Sequence, residues 1–543
     1  MRPARIVVSV LAVVAAACSG LPAEELDSGL LPIDSGTPDS GQPPDDDAGT
    51  ADSGTPHSDA GQPDSGAPDS GQPMPDGGGV FTFVPVSHPR ELRAMWFATV
   101  TNLDFPRAQA SSATLGPQAL QALVTTVADA GFNAIFFQVR PESDALYTTT
   151  REPWSRFVDD VAPGTQGQNP GYDPLATLLT LAHARGVEVH AWVNPYRGLT
   201  TTTATAAPGH ITNVLSQHAI AYNGAVTMDP SAPAVRTWVV DVIRDLATGF
   251  DIDGVVFDDY FYPYPGATPY PDDPQYQAYT TDGGTLSKSN WRRANVNALV
   301  RDVSEAITAA KPHVRFGIAP FGIYRPGMPA GVVGLDAYET LACDSLAWLQ
   351  SGWVDYISPQ LYWSSTSTGQ NYATLIDWWA QQAAAANRWV IPSIAPYRLP
   401  MTAMNGEWTV AEFETEIALT RAKGPTAAGA AWFRHQHVRD NWSGIRTALE
   451  TNLYAQRALP PPHATRKNAV LEPPTFSRAG SSVTMMHPTA AALRGYGVYR
   501  LDGTDYRFER LAASPVTLTS GTWALTAVDR TDVESPGVVV VVP

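Results

Sequence analysis

The chain has 543 residues, a formal net charge of −18 and two cysteines. Its length suggests more than one domain, and two cysteines exclude a disulfide framework. Between Ser19 and Gly79 there are 13 Asp or Glu and no Lys or Arg, so most of the excess acidity lies in one segment. The sequence contains no basic stripe that could neutralise phosphates, which argues against a nucleic-acid partner.

The N-terminus carries an export signal. Arg2 and Arg5 precede a short apolar run over residues 6–17, which is too short to span a bilayer. The run ends in three alanines and Cys18, a pattern that resembles a bacterial lipobox with Cys18 as the lipidated residue. The alternative is an ordinary signal peptide cut after the small residues. Both interpretations predict export. The lipobox adds a membrane anchor at the cell envelope, at the outer membrane or the periplasmic face.

Residues 19–79 repeat Asp-Ser-Gly and Gly-Gln-Pro units. Few apolar residues are available there to offset the entropy of ordering, so we expect a disordered linker after a signal peptide of residues 1–18. The linker would let a catalytic domain move around its anchor.

Strand-like apolar runs alternate with helical patterns over residues 80–458. Eight strands are predicted at 92–99, 133–139, 187–193, 254–258, 314–320, 354–360, 389–395 and 429–434. Helices are predicted between them, among others at 116–130, 174–185, 232–248, 289–310 and 410–422. This alternation predicts an α/β fold, a (β/α)8 TIM barrel. The alternative is an open doubly wound sheet, which is weakened by the lack of a glycine-rich phosphate loop.

The pattern changes after the barrel. Proline-rich stretches at 460–462 and 473–474 are followed by short strands at 483–486, 497–501, 508–512, 523–529 and 538–542. Residues 459–543 are therefore predicted to form a small all-β sandwich, and two of its strands resemble those of fibronectin type III modules. Such modules act as spacers or weak adhesive domains.

The fourth barrel strand ends in Asp258 and Asp259, followed by three aromatic residues and Pro263. Polar groups follow at least six of the eight strands at the same end, and that end builds the active site of a TIM barrel. Glycosidic bonds need an acid that protonates the leaving oxygen and a carboxylate that attacks carbon or activates water. The motif therefore predicts a sugar-cleaving site. A helix cap followed by a hydrophobic turn is the alternative.

Strand alternation aims the two neighbouring acids in opposite directions, so they are not expected to form the acid–base pair by themselves. We expect one of them to be the central carboxylate and the other to orient a substrate hydroxyl or a basic partner. The second catalytic acid is expected from another strand. The candidates are Asp144, Glu142 and Asp104, among which the sequence does not choose. We take Asp258, Asp259 and Asp144 as the catalytic set.

Substrate-binding roles are predicted for polar and aromatic residues near the strand ends: Asp104, Arg140, His190, Asn194, Arg197, Tyr260, Tyr262, Gln360, Tyr362 and Trp363. The arginines would keep the acids ionised or bind an acidic sugar group, or would form structural ion pairs instead. His190 has a core histidine as its alternative, and the rings could stack on sugar faces or pack loops. Asp258, Asp259, His190 and Asp229 could in principle hold a metal, but no paired-histidine spacing supports this. No metal and no cofactor are expected.

Several motifs together resemble the bacterial glycosyl-hydrolase-like family ten lipoproteins, formerly a domain of unknown function. They are ELRAMW with NLD (91–96, 102–104), QVRP (138–141), GYDPL (171–175), HAWVNPYR (190–197), FDDYFYP (257–263), WRRANV (291–296) and PQLYW (359–363). The resemblance implies a TIM barrel and glycoside hydrolysis, for some relatives of peptidoglycan glycan strands stripped of stem peptides. A following fibronectin-like module is also common there. The eighth strand departs from the pattern, with Ala-Trp-Phe-Arg-His (431–435) where relatives more often end in Phe-Ser-Tyr.

The sequence thus predicts an exported, lipid-anchored, monomeric glycoside hydrolase. Its expected partner is a cell-envelope polysaccharide, with peptidoglycan glycan strands as the leading substrate. A non-catalytic glycan-binding lipoprotein and a hydrolase of an external polysaccharide are the alternatives.

Overall fold

The apolar runs of the sequence become the strands of a curled parallel sheet. The computed structural model describes residues 81–106, 114–158, 166–399, 408–466 and 470–543. The strands up to residue 432 are β1 (Phe83–Val84), β2 (Leu92–Phe97), β3 (Ala134–Arg140), β4 (Glu188–Val193), β5 (Arg197–Leu199), β6 (Ala219–Tyr222), β7 (Ala225–Met228), β8 (Gly254–Phe257), β9 (Arg315–Ile318), β10 (Tyr356–Ile357), β11 (Trp389–Val390), β12 (Ser393–Ile394) and β13 (Gly429–Trp432).

Nine of these segments close into a barrel of eight strands. The sheet runs β11-β10-β9-β8-β4-β3-β2-β13-β12, and its neighbours are parallel. β11 and β12 are two halves of the seventh strand, separated at Pro392, which has no N–H for the ladder. β11 pairs with β10 and β12 with β13, so the seventh strand joins both ends of the sheet. The prediction of a (β/α)8 barrel is confirmed, with shorter strands than the sequence pattern indicates.

The helices of the described residues alternate with the barrel strands. They are α1 (Leu115–Asp129), α2 (Pro174–His183), α3 (Ile211–Val214), α4 (Pro233–Gly249), α5 (Asp273–Thr281), α6 (Lys288–Ala310), α7 (Ala337–Thr340), α8 (Ser345–Gln350), α9 (Tyr372–Ala385), α10 (Val410–Arg421), α11 (His435–Arg439) and α12 (Ile445–Ala448).

Local sequence explains where the long helices begin and end. Proline is the first residue of both α2 and α4, where its missing N–H removes no helical bond. Asp173 caps α2 by accepting the N–H of Ala176 at 2.9 Å. Gly131 has a φ of 85° just after α1, a left-handed conformation that glycine adopts without strain. In the described residues, no helix is both long and apolar enough to cross a membrane.

A small antiparallel sheet follows the third barrel strand and was not predicted. Its order is β5-β7-β6, and we call it the rim sheet. The turn between β6 and β7 is Asn223-Gly224, with φ values of 49° and 77°. Two successive positive φ values are typical of the tight hairpin turn that Asn-Gly favours. Because the sheet starts where β4 has just ended, it lies at the mouth of the barrel.

The C-terminal residues form two antiparallel sheets. Their strands are β14 (Thr475–Ala479), β15 (Ser482–Met486), β16 (Leu493–Asp502), β17 (Asp505–Ala512), β18 (Val516–Thr517), β19 (Gly521–Asp529) and β20 (Gly537–Val542). The sheets run β1-β20-β19-β16-β17 and β14-β15-β18. Val483 and Met485 of the smaller sheet share a buried apolar cluster with Val498, Trp523 and Val538 of the larger one. The predicted all-β region is confirmed, and its closer resemblance to fibronectin type III stays a prediction.

The C-terminal sheets contact the barrel at the N-terminal ends of its strands, opposite the mouth. Glu188 begins β4 and Arg315 begins β9, and the two side chains are 2.8 Å apart. Arg315 also reaches Asp532 at 2.5 Å, and Arg494 of β16 lies 2.9 Å from Glu188. We call these four residues the bottom ion cluster, and all four side chains are at most 8% exposed.

Candidate active site

Asp258 follows the last residue of β8 and turns toward the neighbouring strand β4. Its carboxylate accepts the indole N–H of Trp192 at 3.1 Å and the amide N–H of Asn194 at 3.0 Å. The backbone N–H of Tyr260 also donates to it, at 3.3 Å. Burial raises the pKa of Asp258, while the charge of Arg197 and these hydrogen bonds act in the opposite direction. Asp258 is thus a buried carboxylate whose ionised form is held by several donors.

Asp259 faces other partners. The hydroxyl of Tyr264 donates to its Oδ2, and the Gln360 side chain also hydrogen-bonds this carboxyl. Burial, and then the negative charge of Asp258, raise the pKa of Asp259 to about 6. The two acids therefore have separate partners, as strand alternation predicts.

The environments of the two acids suit them to different chemical roles. Burial raises the pKa of both acids, but the charge of Asp258 raises that of Asp259 further, to about 6, whereas the charge of Arg197 and several hydrogen-bond donors oppose the rise at Asp258. Two titratable groups whose surroundings separate their protonation are what acid–base chemistry requires. Asp258 is 5% exposed and Asp259 is 2% exposed, so both are shielded from bulk water but not fully enclosed.

Asn194 and Arg197 connect the third strand end to the acid pair. The Oδ1 of Asn194 accepts the backbone N–H of Arg197 at 2.9 Å, which leaves the amide N–H groups of Asn194 to face Asp258. The Arg197 guanidinium stacks over the Tyr260 ring, 4.6 Å from its centroid. These two residues and Tyr260 thus lie with Asp258, as the sequence predicts.

Aromatic rings form a layer beneath the acids. Trp192, which donates to Asp258, packs edge-on against Trp96 with ring centroids 4.9 Å apart. Trp96 in turn packs against Phe136 at 4.8 Å and donates its indole N–H to Ser393. Because these rings hold the Trp192 indole in place, they also fix the position of the N–H that donates to Asp258.

Asp144 lies in the loop after β3 and has its own set of partners. Its carboxyl accepts the backbone N–H of Glu142 at 3.0 Å and the amide of Gln166 at 3.1 Å. Burial and the charge of Glu142 raise the pKa of Asp144 to about 6. Among the described residues, no hydrogen bond joins Asp144 to Asp258 or Asp259. Its catalytic role stays a prediction that the geometry does not specifically favour.

Glu142 and Asp104, the other candidates for the further acid, are held in ion pairs. Arg156 binds the Glu142 carboxylate at 2.6 Å and 2.8 Å. Asp104 pairs with Arg434 at 2.7 Å and accepts the backbone N–H of Ala98 at 3.0 Å. Burial raises the pKa of Asp104, although the nearby Arg434 charge opposes this. Both carboxyls hold mouth loops in place.

Arg140 is fully buried in an ion pair with Glu152, whose carboxylate lies 2.6 Å from Nη2. Its Nη1 donates to the backbone oxygen of Asn194 at 2.7 Å. This is the structural ion pair that the sequence left open as the alternative. Arg140 acts on the site through the loop that carries Asn194.

His190 lies in the barrel interior rather than at the mouth. One ring nitrogen is 2.8 Å from the Tyr356 hydroxyl and the other is 3.1 Å from Glu188. The side chain is fully buried. It therefore matches the alternative of a core histidine, and the reason is that it stands four residues before the strand end at Asn194.

The predicted aromatic residues separate into two groups. Tyr262 packs away from the acids, with its ring 5.5 Å from Tyr270 and the Arg292 guanidinium 5.2 Å from its centroid. Tyr362 lies near Tyr397 at 5.8 Å, and Trp363 packs against Phe321 at 5.5 Å. Tyr362 and Trp363 thus follow the same strand end as Gln360, on the Asp259 side of the mouth.

The metal alternative gains no support from the described residues. They contain no group of three or more His, Cys, Asp or Glu side chains placed to hold a metal ion. Asp229 instead accepts the N–H and the hydroxyl of Ser231 at 2.8 Å and 2.7 Å, which caps the turn before α4. The predicted lipidation site, Cys18, lies outside the described residues.

Sequence reasoning missed four side chains that complete the site: Trp192, Tyr264, Glu152 and Arg434. Trp192 stands two residues before Asn194 on one strand, so strand periodicity alone could have placed both on the same face. Tyr264, Glu152 and Arg434 act from loops or neighbouring strand ends, where periodicity carries no information.

Comparisons with known proteins identify the family of this chain. Residues 91–410 match the model of a family described as glycosyl hydrolase-like 10. The glycosyl hydrolase YngK of Bacillus subtilis is 33% identical over 436 residues, which cover 77% of this chain and 84% of that protein. The glycosyl hydrolase DigH of Escherichia coli K12 is 32% identical over 376 residues, which cover 64% of this chain and 83% of that protein.

Solved structures are similar at a lower level. The glycoside hydrolase domain of PgaB (BpsB) from Bordetella bronchiseptica is 13% identical, covers 67% of this chain and 98% of its own, and has a TM-score of 0.43. Similarity this weak has no bearing on activity, and the fold assignment rests on the strand pairing itself.

Proposed function

This chain belongs to the glycosyl hydrolase-like 10 family, and on that premise we propose that it hydrolyses glycosidic bonds of a cell-envelope polysaccharide. The glycan strands of peptidoglycan are the leading substrate. The observation that carries the proposal is that Asp258 and Asp259, at the mouth of the barrel, have different hydrogen-bond partners and therefore different surroundings for their protons.

In this proposal the two acids divide the chemistry between them, in place of the further acid that the sequence predicts from another strand. Glu142 and Asp104 are held in ion pairs, and among the described residues no hydrogen bond joins Asp144 to either acid.

Asp259, whose pKa is raised to about 6, holds the proton that passes to the leaving oxygen as the glycosidic bond breaks. Asp258, held ionised by Trp192 and Asn194, stabilises the positive charge that develops on the sugar and assists the attacking nucleophile. Water then adds its hydroxyl to the sugar carbon and releases one proton. That proton replaces the one that Asp259 gave to the leaving oxygen, so both carboxyls return to their starting states.

Export and anchoring belong to the same proposal. The apolar N-terminal run that ends at Cys18 supports a lipid anchor, and the Asp/Ser/Gly/Pro segment after it supports a flexible linker. An anchored monomer would act on polymers within reach of the membrane, which favours an envelope polysaccharide over a soluble external one.

The test is mass spectrometry of the products released from purified wall glycan, with and without stem peptides. We expect the wild-type protein to release defined sugar fragments. Asp258→Asn and Asp259→Asn should each lower turnover by roughly 10²- to 10⁴-fold while the circular dichroism spectrum is unchanged. Asp273→Asn is the matched control, because this aspartate is 82% exposed and pairs with Lys288.

Unchanged turnover in both site variants would contradict the assignment of the acids. Tight binding of glycan without any product on long incubation would identify a glycan-binding protein instead. Release of fragments from other polysaccharides, but not from wall glycan, would move the substrate outside the envelope.

A further inference from the structure

The larger C-terminal sheet ends in a strand that has a neighbour on one side only. The sheet runs β1-β20-β19-β16-β17, so β17 pairs with β16 and with no other strand of the described residues. Every second residue of an antiparallel edge strand turns its backbone N–H and C=O away from its partner. Among the described residues, no backbone hydrogen bond from outside the sheet reaches β17. The strand therefore presents a row of unpaired backbone groups.

Two cavities lie along β17 and adjoin each other at Arg457 and Phe508. Their volumes are about 800 Å³ and about 420 Å³. The larger is lined by residues 504–508 and the smaller by residues 508–511. Because side chains alternate between the two faces of a strand, a lining of consecutive residues means that the strand edge itself borders both cavities. We call the combined space the β17 groove.

The opposite wall of the β17 groove belongs mainly to the bottom of the barrel. Residues 131–133 and 184–186, which precede β3 and β4, line the smaller cavity, and residues 455–459 line both. The groove ends where Gly186 packs against Leu511, whereas Ala455 at the other end is exposed to solvent. Since a wall faces the strand edge, the groove has room for one extended chain but not for the sheet of a second copy.

Arginines make the β17 groove positive. Its charged lining residues are four arginines and two acids: Arg185, Arg457, Arg507, Arg510, Asp505 and Glu509. Three of the arginines form ion pairs with acids on the protein. Arg457 forms none among the described residues, and its guanidinium instead donates to the backbone oxygens of Ala128 and Asp129 at the end of α1. It also lies at the junction of the two cavities, in the middle of the groove.

The surroundings of Arg457 favour an added negative charge. Burial lowers the pKa of Arg457; the charge of Asp129 opposes this, and the charges of Arg185 and Arg93 add to it. Because arginine stays charged in proteins, a ligand carboxylate would offset this unfavourable positive charge. A guanidinium can also bind a carboxylate through two parallel hydrogen bonds. The groove thus combines a strand edge with a cation suited to an acidic side chain.

We propose that the β17 groove is a strand-addition site, in which an extended acidic segment of a partner protein joins the larger C-terminal sheet and places a carboxylate on Arg457. In this mode the main chain supplies affinity and alternate side chains supply specificity. A polysaccharide has no row of N–H and C=O groups at strand spacing, so the edge favours a polypeptide. The proposal is independent of the proposed hydrolase activity, because the groove lies at the opposite end of the barrel from the acids.

The first experiment measures binding of fluorescein-labelled peptides to the full-length protein by fluorescence anisotropy. The probe is an octapeptide of alternating valine and glutamate, which matches the eight residues of β17. One comparison peptide has lysine in place of glutamate, and the other is the probe with every backbone nitrogen methylated. We expect the probe to bind at least tenfold tighter than either, because lysine is repelled by Arg457 and methylation removes the N–H groups that pair with β17.

Two substitutions test the groove itself. Ala184→Trp adds a large ring at an exposed lining position and should weaken probe binding at least tenfold, whereas Ala384→Trp, exposed on α9 and outside the lining, should not. Arg457→Gln should remove most of the preference for glutamate over lysine. Arg478→Gln is its matched control, because this exposed arginine also donates to a backbone oxygen, that of Gly480 at 2.9 Å, and does not line the groove.

The second experiment locates the bound probe by hydrogen–deuterium exchange. We expect slower amide exchange in β17 and in residues 455–459, because the unpaired groups of the strand gain partners. Equal affinity for the probe and its methylated form would identify an anion site without strand addition and overturn the proposal. Protection confined to other regions would overturn it as well, and so would a dimer that the probe dissociates in sedimentation, since a second copy would then occupy the groove.

Discussion

At the scale of single residues, the site depends on two adjacent aspartates with different hydrogen-bond partners. The phenol of Tyr264 holds Asp259, and the indole of Trp192 holds Asp258. Each of these donors lowers the pKa of the acid that it contacts. Because the two acids are needed in opposite protonation states, removing each donor should move a different side of the pH profile.

Tyr264→Phe should shift the alkaline limb of kcat/KM to higher pH. Loss of the phenol donor destabilises ionised Asp259, so its carboxyl keeps the proton to a higher pH than the value of about 6 in the intact site. The measurement is kcat/KM across pH on wall glycan. Tyr270→Phe is the control, because its buried hydroxyl has no hydrogen-bond partner among the described residues. An unmoved alkaline limb would argue against Asp259 as the proton donor.

Trp192→Phe should act on the acidic limb. The indole N–H favours ionised Asp258, so its loss raises the pKa of Asp258, and the rising part of the pH profile should move upward. An aromatic ring remains against Trp96, although it is smaller than the indole. If Trp192→Phe and Tyr264→Phe moved the same limb, the division of roles between the two acids would be wrong.

The sequence predicts much of this site but not its connections. The position of Asp258 and Asp259 at a strand end follows from an apolar run that stops in two acids, and Asn194 and Arg197 follow in the same way from β4. Tyr264 could not be inferred, because a tyrosine between two prolines carries no pattern. The sequence predicts His190 among the residues that bind substrate, but its side chain is buried in the barrel, where it links Glu188 and Tyr356. The residue type does not distinguish these two roles, because histidine serves in both.

At the scale of elements, helix α10 carries a carboxyl group inside its apolar stripe. Phe413, Glu416, Ile417 and Thr420 are its buried residues, and their spacing is that of one helix face. Among the described residues neither carboxyl oxygen of Glu416 has a hydrogen-bond partner. Burial, and then the charge of Glu412, raise the pKa of Glu416 well above its ordinary value.

Glu416→Gln should therefore stabilise the protein in alkaline buffer. A raised pKa in the folded state means that the protonated carboxyl is tolerated at low pH and that stability is lost as pH rises through the raised pKa. The neutral amide avoids this loss. We expect equal Tm values for the variant and the wild type in acidic buffer and a higher Tm for the variant at alkaline pH.

Glu414→Gln is the matched control on the same helix, because this residue lies at the surface and bonds to Asn452. It should show no such pH dependence. A Tm difference between Glu416→Gln and the wild type that stays constant with pH would mean that the carboxyl is not titrating in the folded protein.

The elements of the barrel were predictable because their patterns are local. Eight apolar runs and the helices between them can be read without knowing what they contact. The rim sheet escaped because its strands have only three or four residues each, too few for alternation to show. Strand β1 has two residues and is a strand because Phe83 pairs with Val538, more than 450 positions later in the chain, a relation that no local pattern reveals.

At the scale of the whole molecule, the C-terminal sheets are joined to the barrel rather than suspended from it. Thr82–Pro543 cluster in one compact unit, and β1, which precedes the barrel, pairs with the last strand β20. A side chain at Gly186 would collide with Leu511 of β17, since a Cβ there would lie 2.8 Å from the Leu511 Cβ. These contacts argue for a structural role of the C-terminal sheets, in place of the spacer that the sequence suggests.

The bottom ion cluster makes this role testable. Burial alone would raise the pKa of Glu188, but the charges of Arg315 and Arg494 hold it well below its usual range. Asp532 supplies the second carboxylate from the C-terminal sheets, 2.5 Å from each arginine. Removing one charge from such a buried set leaves the others unbalanced, which costs about 3–5 kcal/mol.

Asp532→Asn should therefore lower the free energy of unfolding of the whole chain by about 3–5 kcal/mol, because uncompensated positive charge would remain at the barrel bottom. Denaturant unfolding followed by tryptophan fluorescence measures this, since most tryptophans lie in the barrel. Arg507→Ala is the control: its pair with Asp502 is 74% and 59% exposed, and such surface pairs contribute about 0–1 kcal/mol. If Asp532→Asn unfolded the C-terminal sheets in a separate earlier transition and left the barrel transition unmoved, the sheets would be a spacer, and the cluster would not couple them to the catalytic barrel.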